Sequence, residues 1–68
     1  MRVLVNDRII LANSYTEARE VALEASRRLP NTKILVLLHE ADEVFINGKA
    51  THTISRLTYA TNNFIIRK

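Results

Sequence analysis

The hydrophobic positions of this chain change their spacing along its length. Short apolar runs flank Asn6-Asp7, apolar residues then recur every three or four positions from Tyr15 to Leu29, and a continuous apolar run covers 34–38. A spacing of three to four predicts an amphipathic helix, whereas a short apolar run between polar residues predicts a buried strand. The pattern therefore predicts a strand hairpin, then one helix, then a central strand.

The helix has a start signal and a stop signal. Ser14 and Glu17 fit a capping box, in which the Ser14 hydroxyl accepts from the N–H of residue 17 and Glu17 reaches back to the N–H of Ser14. Pro30 ends the helix. The expected inner face is Tyr15, Ala18, Val21, Ala22, Ala25 and Leu29, and the outer face is Arg19, Glu20, Glu24, Arg27 and Arg28, with Leu23 exposed among them and Glu24 paired with Arg28.

Two hairpins are predicted from two-residue turns. Asn6-Asp7 tolerates the positive φ of a type I′ turn, and Asn47-Gly48 is the pair that such turns prefer. The first register pairs Val5 with Arg8, Leu4 with Ile9 and Val3 with Ile10; the second pairs Phe45 with Ala50, Val44 with Thr51 and Glu43 with His52. The acidic stretch 39–43 is expected to be a solvated connection into the second hairpin.

The remaining chain completes a single α+β domain over residues 1–68. Residues 51–61 fit a bent strand, two short strands or a helical turn starting at Ser55, and Asn62-Asn63 fits a turn into a last strand over 64–66. The expected fold has the order ββαβββ, with room for one further strand, and its antiparallel sheet carries the helix on one face.

The small size of the chain predicts association. A chain of 68 residues buries only about 60% of its unfolded surface, and it has no cysteine for disulfides and only two histidines. One helix covers one sheet face, so either the later hairpins curl over the other face or a second copy packs there. We expect a homodimer, with a dimer face of Leu4, Ile9, Leu11, Leu35 and Leu37. The amino-terminal apolar run is too short for a signal peptide or membrane span, so we expect a cytoplasmic protein without membrane contact.

Titratable residues gather in one part of the sequence. His39, Asp42 and Glu43 follow the central strand, and the second hairpin brings His52 near them. Imidazole and carboxylate groups at one strand end are weak candidates for a divalent metal or for acid–base catalysis, but no known ligand spacing is matched. The single glycine is explained by its turn, which leaves no glycine-rich phosphate loop. We therefore expect no enzyme, metal or cofactor, with a metal-dependent hydrolase as the minor alternative.

The formal charge of +3 favours acidic partners. Lysine and arginine neutralise phosphates, and Tyr59 or Phe64 on a sheet surface would stack on unpaired bases. The nucleic-acid candidates are Arg28, Lys33, Lys49, Arg56, Arg67 and Lys68. The basic residues are spread along the chain, and Glu20 and Glu24 lie among the basic residues of the helix. DNA or RNA binding is therefore the alternative function.

The order of these elements resembles small accessory proteins of tailed bacteriophages. The resemblance covers residues 1–46: a strand pair, a helix that begins Tyr15-Thr16-Glu17-Ala18, and a Leu29-Pro30-Asn31-Thr32 exit into one apolar strand. It is a style of sequence, so it assigns no residue roles. It implies a non-enzymatic protein that engages a host enzyme or a defence complex, or that binds nucleic acid. We expect a target in the host cytoplasm that the chain could inhibit, a protein rather than nucleic acid. The helix face of Arg19, Leu23 and Arg27 is the expected partner surface.

Overall fold

The computed structural model describes residues 1–55 of the chain, so the predictions for 56–68, including the last strand, lie outside the described residues. Its elements are β1 (Arg2–Val5), β2 (Arg8–Leu11), α1 (Tyr15–Arg28), β3 (Ile34–Leu37), β4 (Ala41–Ile46) and β5 (Lys49–Ser55). One helix packs against a five-stranded antiparallel sheet of strand order β2-β1-β3-β4-β5. The predicted α+β class, the ββαβββ order and the central place of β3 are confirmed.

The first hairpin has the predicted register. Val5 lies opposite Arg8, Leu4 opposite Ile9, and Val3 opposite Ile10. Only Asn6 of the two turn residues has a positive φ, at 55°, so the predicted type I′ turn, which needs positive φ at both positions, is wrong. The ladder continues past the strands, because Met1 and Ala12 exchange two backbone hydrogen bonds of 2.8 and 2.9 Å.

The helix begins where its cap predicts. The N–H of Glu17 donates to the Ser14 hydroxyl at 3.1 Å, and the N–H of Leu29 closes the last turn on the carbonyl of Ala25. Ala18 and Ala22 are fully buried, because small side chains let the helix lie close on the sheet. The core between helix and sheet consists of Val3, Ala12, Ala18, Ala22, Ile34, Val36 and Phe45.

The second hairpin departs from its predicted register. The stretch 39–43 is not a solvated connection, because β4 already begins at Ala41. Phe45 lies opposite Ala50 as predicted, but a bulge then shifts the ladder, so that Val44 faces His52 and Glu43 faces Thr53. The pairings of Val44 with Thr51 and of Glu43 with His52 are therefore wrong. The Thr51 hydroxyl donates to the carbonyl of Val44 at 3.1 Å, which satisfies the carbonyl where the ladder is interrupted.

A hydrogen-bonded clasp ties the end of α1 to the turn between β4 and β5. The fully buried hydroxyl of Ser26 accepts from the N–H of Gly48 and donates to the carbonyl of Leu23, both at 2.8 Å. The side chain of Asn47 accepts from the N–H of Asn31 at 2.9 Å and donates to its side-chain oxygen at 3.3 Å. Asn47 and Gly48 both have positive φ, as a type I′ turn requires. The clasp holds the carboxyl end of α1 in place over β4 and β5.

Candidate functional site

The titratable residues of the sequence candidate do not converge. Neighbouring residues of a strand point to opposite sheet faces, so β4 separates Asp42, which is buried opposite Ile54, from Glu43 on the helix side. His52 shares the face of Asp42, and its Nδ1 lies 3.0 Å from the hydroxyl of Thr51. Within residues 1–55, no three or more histidine, aspartate or glutamate side chains come together to hold a metal ion.

Glu43 instead binds the first turn of α1. The phenol of Tyr15 donates to its Oε1 at 2.6 Å, and this hydrogen bond to a carboxylate is the main cause that raises the pKa of Tyr15. The guanidinium of Arg19 lies 5.9 Å from the ring centre of Tyr15 and 5.8 Å from that of Phe45, within the range of cation–π attraction. Tyr15 is 41% exposed, so its predicted place in the core is wrong.

The helix face expected to bind a partner is partly turned inward. Leu23 is half-buried and packs against the core, so its expected exposure is wrong. Arg19 is half-buried over Phe45, and the Arg27 side chain lies beside Gly48. This side of the helix packs against the sheet because α1 lies over β4 and β5 as well as over β1 and β3.

The residues expected to form a dimer face do share one sheet face, opposite α1. Leu4 lies between Ile9 and Leu35 in one row across the sheet, and Leu11 and Leu37 lie in the next row, on either side of Arg2. Leu4, Leu35 and Leu37 are half-buried, whereas Ile9 and Leu11 are 48% and 77% exposed. Exposure on this face is therefore greatest at its β2 margin.

Among residues 1–55, three of the five exposed large apolar residues lie on β2, namely Ile9, Ile10 and Leu11; the other two are Met1 and Tyr15. Every residue of this strand is exposed, and Ile10, which points to the helix side, is still 38% exposed. The helix packs on β1, β3, β4 and part of β5, so β2 lies at the margin of its footprint. Single exposed apolar residues are normal on a protein surface, whereas contiguous ones mark interaction sites. Strand β2, with isoleucine and leucine exposed on its two faces, is of the second kind.

The backbone of β2 also has groups along its outer side that no residue within 1–55 pairs with. In an antiparallel pair, hydrogen-bonded residues alternate with residues whose backbone groups point away. Ala12 bonds with Met1, so the alternation makes Ile10 bond with Val3 and turns the N–H and C=O groups of Ile9 and Leu11 outward. Among the strands that the structure describes, β2 is the outer one on this side of the sheet. It thus offers a second strand both hydrogen bonds and apolar side chains.

A groove runs between β2 and the helix. Its volume is about 520 Å³, within the range of binding pockets. Ile10, Val21, Ala25 and Leu29 supply its apolar walls, and Glu20, Glu24 and Arg28 stand along its rim. Arg28 and Glu24 form the predicted ion pair at 3.0 Å. We call this groove together with Ile9 and Leu11 the β2 corner.

Basic side chains gather at one end of the molecule. The sheet register places the turn after Val5, the start of β3 and the Asn47-Gly48 turn at the same end, and the clasp adds the carboxyl end of α1. The exposed basic residues at this end are Arg8, Arg27, Arg28, Lys33 and Lys49. Of the nucleic-acid candidates, the structure thus groups Arg28, Lys33 and Lys49, whereas Arg56, Arg67 and Lys68 lie outside the described residues.

Comparisons of the chain with protein-family models, with curated proteins and with solved structures found no match. No helix within residues 1–55 has the length and apolar character needed to cross a membrane. The β2 corner is thus identified by its geometry alone. The sequence pattern does not predict its groove, because it assigns Val21, Ala25 and Leu29 to the inner face of the helix. The sequence feature that could have indicated this site is a first hairpin with apolar residues on both faces.

Proposed function

We propose that this chain is a non-enzymatic binding protein that engages a protein target through the β2 corner. The observation that carries the proposal is the concentration of exposed large apolar side chains on β2, at 38% to 77% exposure, beside a groove with apolar walls. Removing apolar surface from water is favourable by about 25 cal/mol for each Å², and the costs of association are subtracted from this gain. Protein–protein interfaces typically have an apolar centre and a polar rim, and the charges of the rim orient the partner as it binds.

The rim supports a target with at least one basic group. Glu20 and Glu24 stand on the helix side of the groove, and Arg28 stands at its far end, where it pairs with Glu24. Glu20 is exposed, so its charge is available to steer a basic side chain to the groove. An apolar segment flanked by lysine or arginine is therefore the chemistry that this groove fits.

A host protein is the class of target that we propose. The resemblance of residues 1–46 to phage accessory proteins supports a binding role, since such proteins engage a host enzyme or a defence complex, or bind nucleic acid. In this proposal the encounter takes place in the host cytoplasm. Inhibition would follow if the bound segment of the target were needed for its own activity.

Site-specific photocrosslinking in living cells tests the proposal. A photoreactive amino acid at position 10, inside the groove, should crosslink a protein other than a second copy of this chain, identified by the mass of the product, whereas one at the exposed position 39 in the bend before β4 should not. With that protein purified, Glu20→Arg should weaken binding at least about tenfold, which corresponds to about 1.4 kcal/mol. Glu40→Arg is the matched control, because it makes the same charge change at an exposed residue away from the groove.

Two results would overturn this function. Equal crosslinking from positions 10 and 39 would show that the groove is not selective. Equal affinities of the Glu20→Arg and Glu40→Arg variants for the crosslinked protein would show that the rim does not contact it.

Nucleic-acid binding is the second candidate, and the basic end supports it. Arg27, Lys33 and Lys49 are exposed around the Asn47-Gly48 turn, and Asp7 is the acidic residue of the nearby hairpin turn. Such a cluster is the footprint that phosphate binding requires. Basic residues at the carboxyl end of a helix also stabilise the helix dipole, which is their structural explanation.

A further inference from the structure

We infer that the outer side of β2 binds β2 of a second copy of this chain, so that two five-stranded sheets join into one continuous sheet. The inference rests on the proposed function, because both use the β2 corner as a binding surface. It goes further by naming one occupant of the strand edge. The two-fold axis passes through the sheet next to Ile10, and both helices lie on the same side of the joined sheet.

The backbone explains why the occupant is a strand. Ile9 and Leu11 turn their N–H and C=O groups outward, and these groups need a partner whose bonding residues are also two apart. An antiparallel copy of β2 has this spacing by symmetry, because a two-fold interface brings the same patch from both subunits together. Ile9 of one copy then exchanges two hydrogen bonds with Leu11 of the other. By symmetry, Leu11 of the first copy exchanges two more with Ile9 of the second.

The side chains select the register. With Ile10 on the axis, Ile10 faces Ile10 on the helix side, and Ile9 faces Leu11 on the opposite side, so every exposed apolar residue of β2 meets another one. The register centred on Ile9 would instead place Ile10 against Arg8, and the register centred on Leu11 would place it against Ala12. Cross-strand apolar pairs stabilise a sheet by about 0.2 to 1 kcal/mol each relative to alanine pairs.

Charge order agrees with the antiparallel arrangement. Along the groove the rim residues follow the order Glu20, Glu24, Arg28 from one end of α1 to the other. In the second copy this order is reversed, so the acidic end of one rim faces the basic end of the other. The two grooves then open toward each other over a shared floor that contains both copies of Ile10.

The opposite edge of the described sheet lacks these features. Strand β5 exposes Lys49, Thr51, His52 and Thr53 and contains the bulge opposite Val44. Charged residues and bulges are the devices by which edge strands avoid pairing. Strand β2 has one charged residue, Arg8, at its end and a regular register with β1.

The size of the edge sets the expected affinity. Strand β2 has four residues, which is a small contact compared with the about 1,200 to 2,000 Å² that stable complexes bury. We therefore expect a dimer that dissociates in the micromolar range, and sedimentation of the purified protein should show monomer and dimer exchanging with concentration.

Cysteine crosslinking tests the register, since the natural chain has no cysteine. Residues facing each other in a non-hydrogen-bonded pair have Cα atoms about 4.5 Å apart, which suits a disulfide. Ile10→Cys should therefore form a disulfide dimer under mild oxidation. Thr53→Cys, exposed on β5, is the control and should remain a monomer. A Thr53→Cys variant that crosslinks as fast as Ile10→Cys would overturn the register.

Charge exchange at the same residue provides a second test that does not depend on oxidation. Ile10→Lys and Ile10→Glu should each be monomeric at concentrations where the wild type is dimeric, because like charges would meet on the axis. An equimolar mixture should recover the dimer as a Lys/Glu pair. Circular dichroism checks that each variant is folded, and the mixing step keeps the test informative if one variant alone is unstable.

Three outcomes would overturn the inference: a wild type that stays monomeric up to about 1 mM, a dimer that survives both charged variants, or a mixture that does not recover association. The second would direct attention to the sheet face of Leu35 and Leu37. These measurements use only the purified chain, so their failure leaves the crosslinking of a protein target untouched. Failure to crosslink a target would likewise leave the dimer measurements standing.

Discussion

The phenol of Tyr15 donates a hydrogen bond of 2.6 Å to the carboxylate of Glu43, joining the first turn of α1 to β4 across 28 positions of the sequence. Its counterpart at the other end of the helix is the bond between Ser26 and the N–H of Gly48. The helix is therefore held over the sheet at both ends by polar contacts, with alanines between them.

Stability should fall in strong base because of Tyr15. Its pKa is raised in the folded protein by the hydrogen bond to Glu43, so this contribution is complete below the unfolded pKa and is lost as pH rises through the folded pKa. Urea titrations of the wild type should show decreasing stability above about pH 10. Tyr15→Phe should show a smaller decrease over the same range. Identical pH profiles for the two proteins would contradict this assignment.

Ser26→Ala should destabilise the fold through the clasp. The buried hydroxyl serves both Gly48 and the carbonyl of Leu23, and its removal leaves the N–H of Gly48 without this partner. The expected loss is about 1 to 3 kcal/mol in the free energy of unfolding, measured by urea denaturation. Thr16→Ala, at an exposed position of the same helix, is the control; a loss as small as that of the control would show that the clasp contributes little.

Gly48→Ala should be destabilising mainly through its backbone. The φ of Gly48 is +83°, and an alanine there is expected to cost about 1 to 3 kcal/mol. The added Cβ would also lie 2.9 Å from Cγ of Arg27, a contact that a flexible side chain can relieve. Combining Gly48→Ala with Arg27→Ala therefore should recover only a minor part of the loss. Full recovery in thermal denaturation would assign the cost to the contact instead.

If the basic end binds nucleic acid, single charge reversals should distinguish it from the opposite end. Lys49→Glu should weaken binding to single-stranded DNA and lower the slope of log affinity against log salt by about 1. Arg2→Glu makes the same charge change at the far end of the sheet and should alter the slope less. No complex for the wild type even at low salt, measured by fluorescence anisotropy, would remove this second candidate function.

Most of the fold follows from local sequence signals. The helix start at Ser14 and the Asn47-Gly48 turn depend on residues a few positions apart, and the structure confirms both. The central place of β3 agrees with its continuous apolar run, but β2 also carries apolar residues on both faces and lies at the margin of the described sheet.

The departures arise where competing arrangements differ little in energy. The ladder has a bulge at Val44, where the Thr51 hydroxyl donates to the Val44 carbonyl, and sequence pattern does not reveal this bond. Tyr15 is aromatic and falls on the inner stripe, yet it is 41% exposed and its hydroxyl donates to Glu43 of β4. Leu23 is half-buried and packs against the core, because the helix lies over β4 and β5 as well as over β1 and β3.

The candidate site was harder to predict than the fold. The pattern correctly makes Ile9 and Leu11 share a face with Leu4, Leu35 and Leu37. It does not reveal that β2 takes the outer position, since that depends on β3 pairing with β1 rather than with β2. The offset of the helix from β2, which turns Val21 and Ala25 into groove walls, is likewise a property of the assembled layers.

The clasp also bears on the chemical stability of the Asn47-Gly48 peptide. Asn-Gly is the sequence most prone to deamidation, a reaction in which the backbone nitrogen of the glycine attacks the asparagine side-chain carbonyl. In the folded chain that nitrogen belongs to Gly48 and is held by Ser26, while the amide of Asn47 is held by Asn31. These hydrogen bonds restrain both reacting groups, so we expect deamidation of Asn47 to be slower in the folded chain than in the unfolded one.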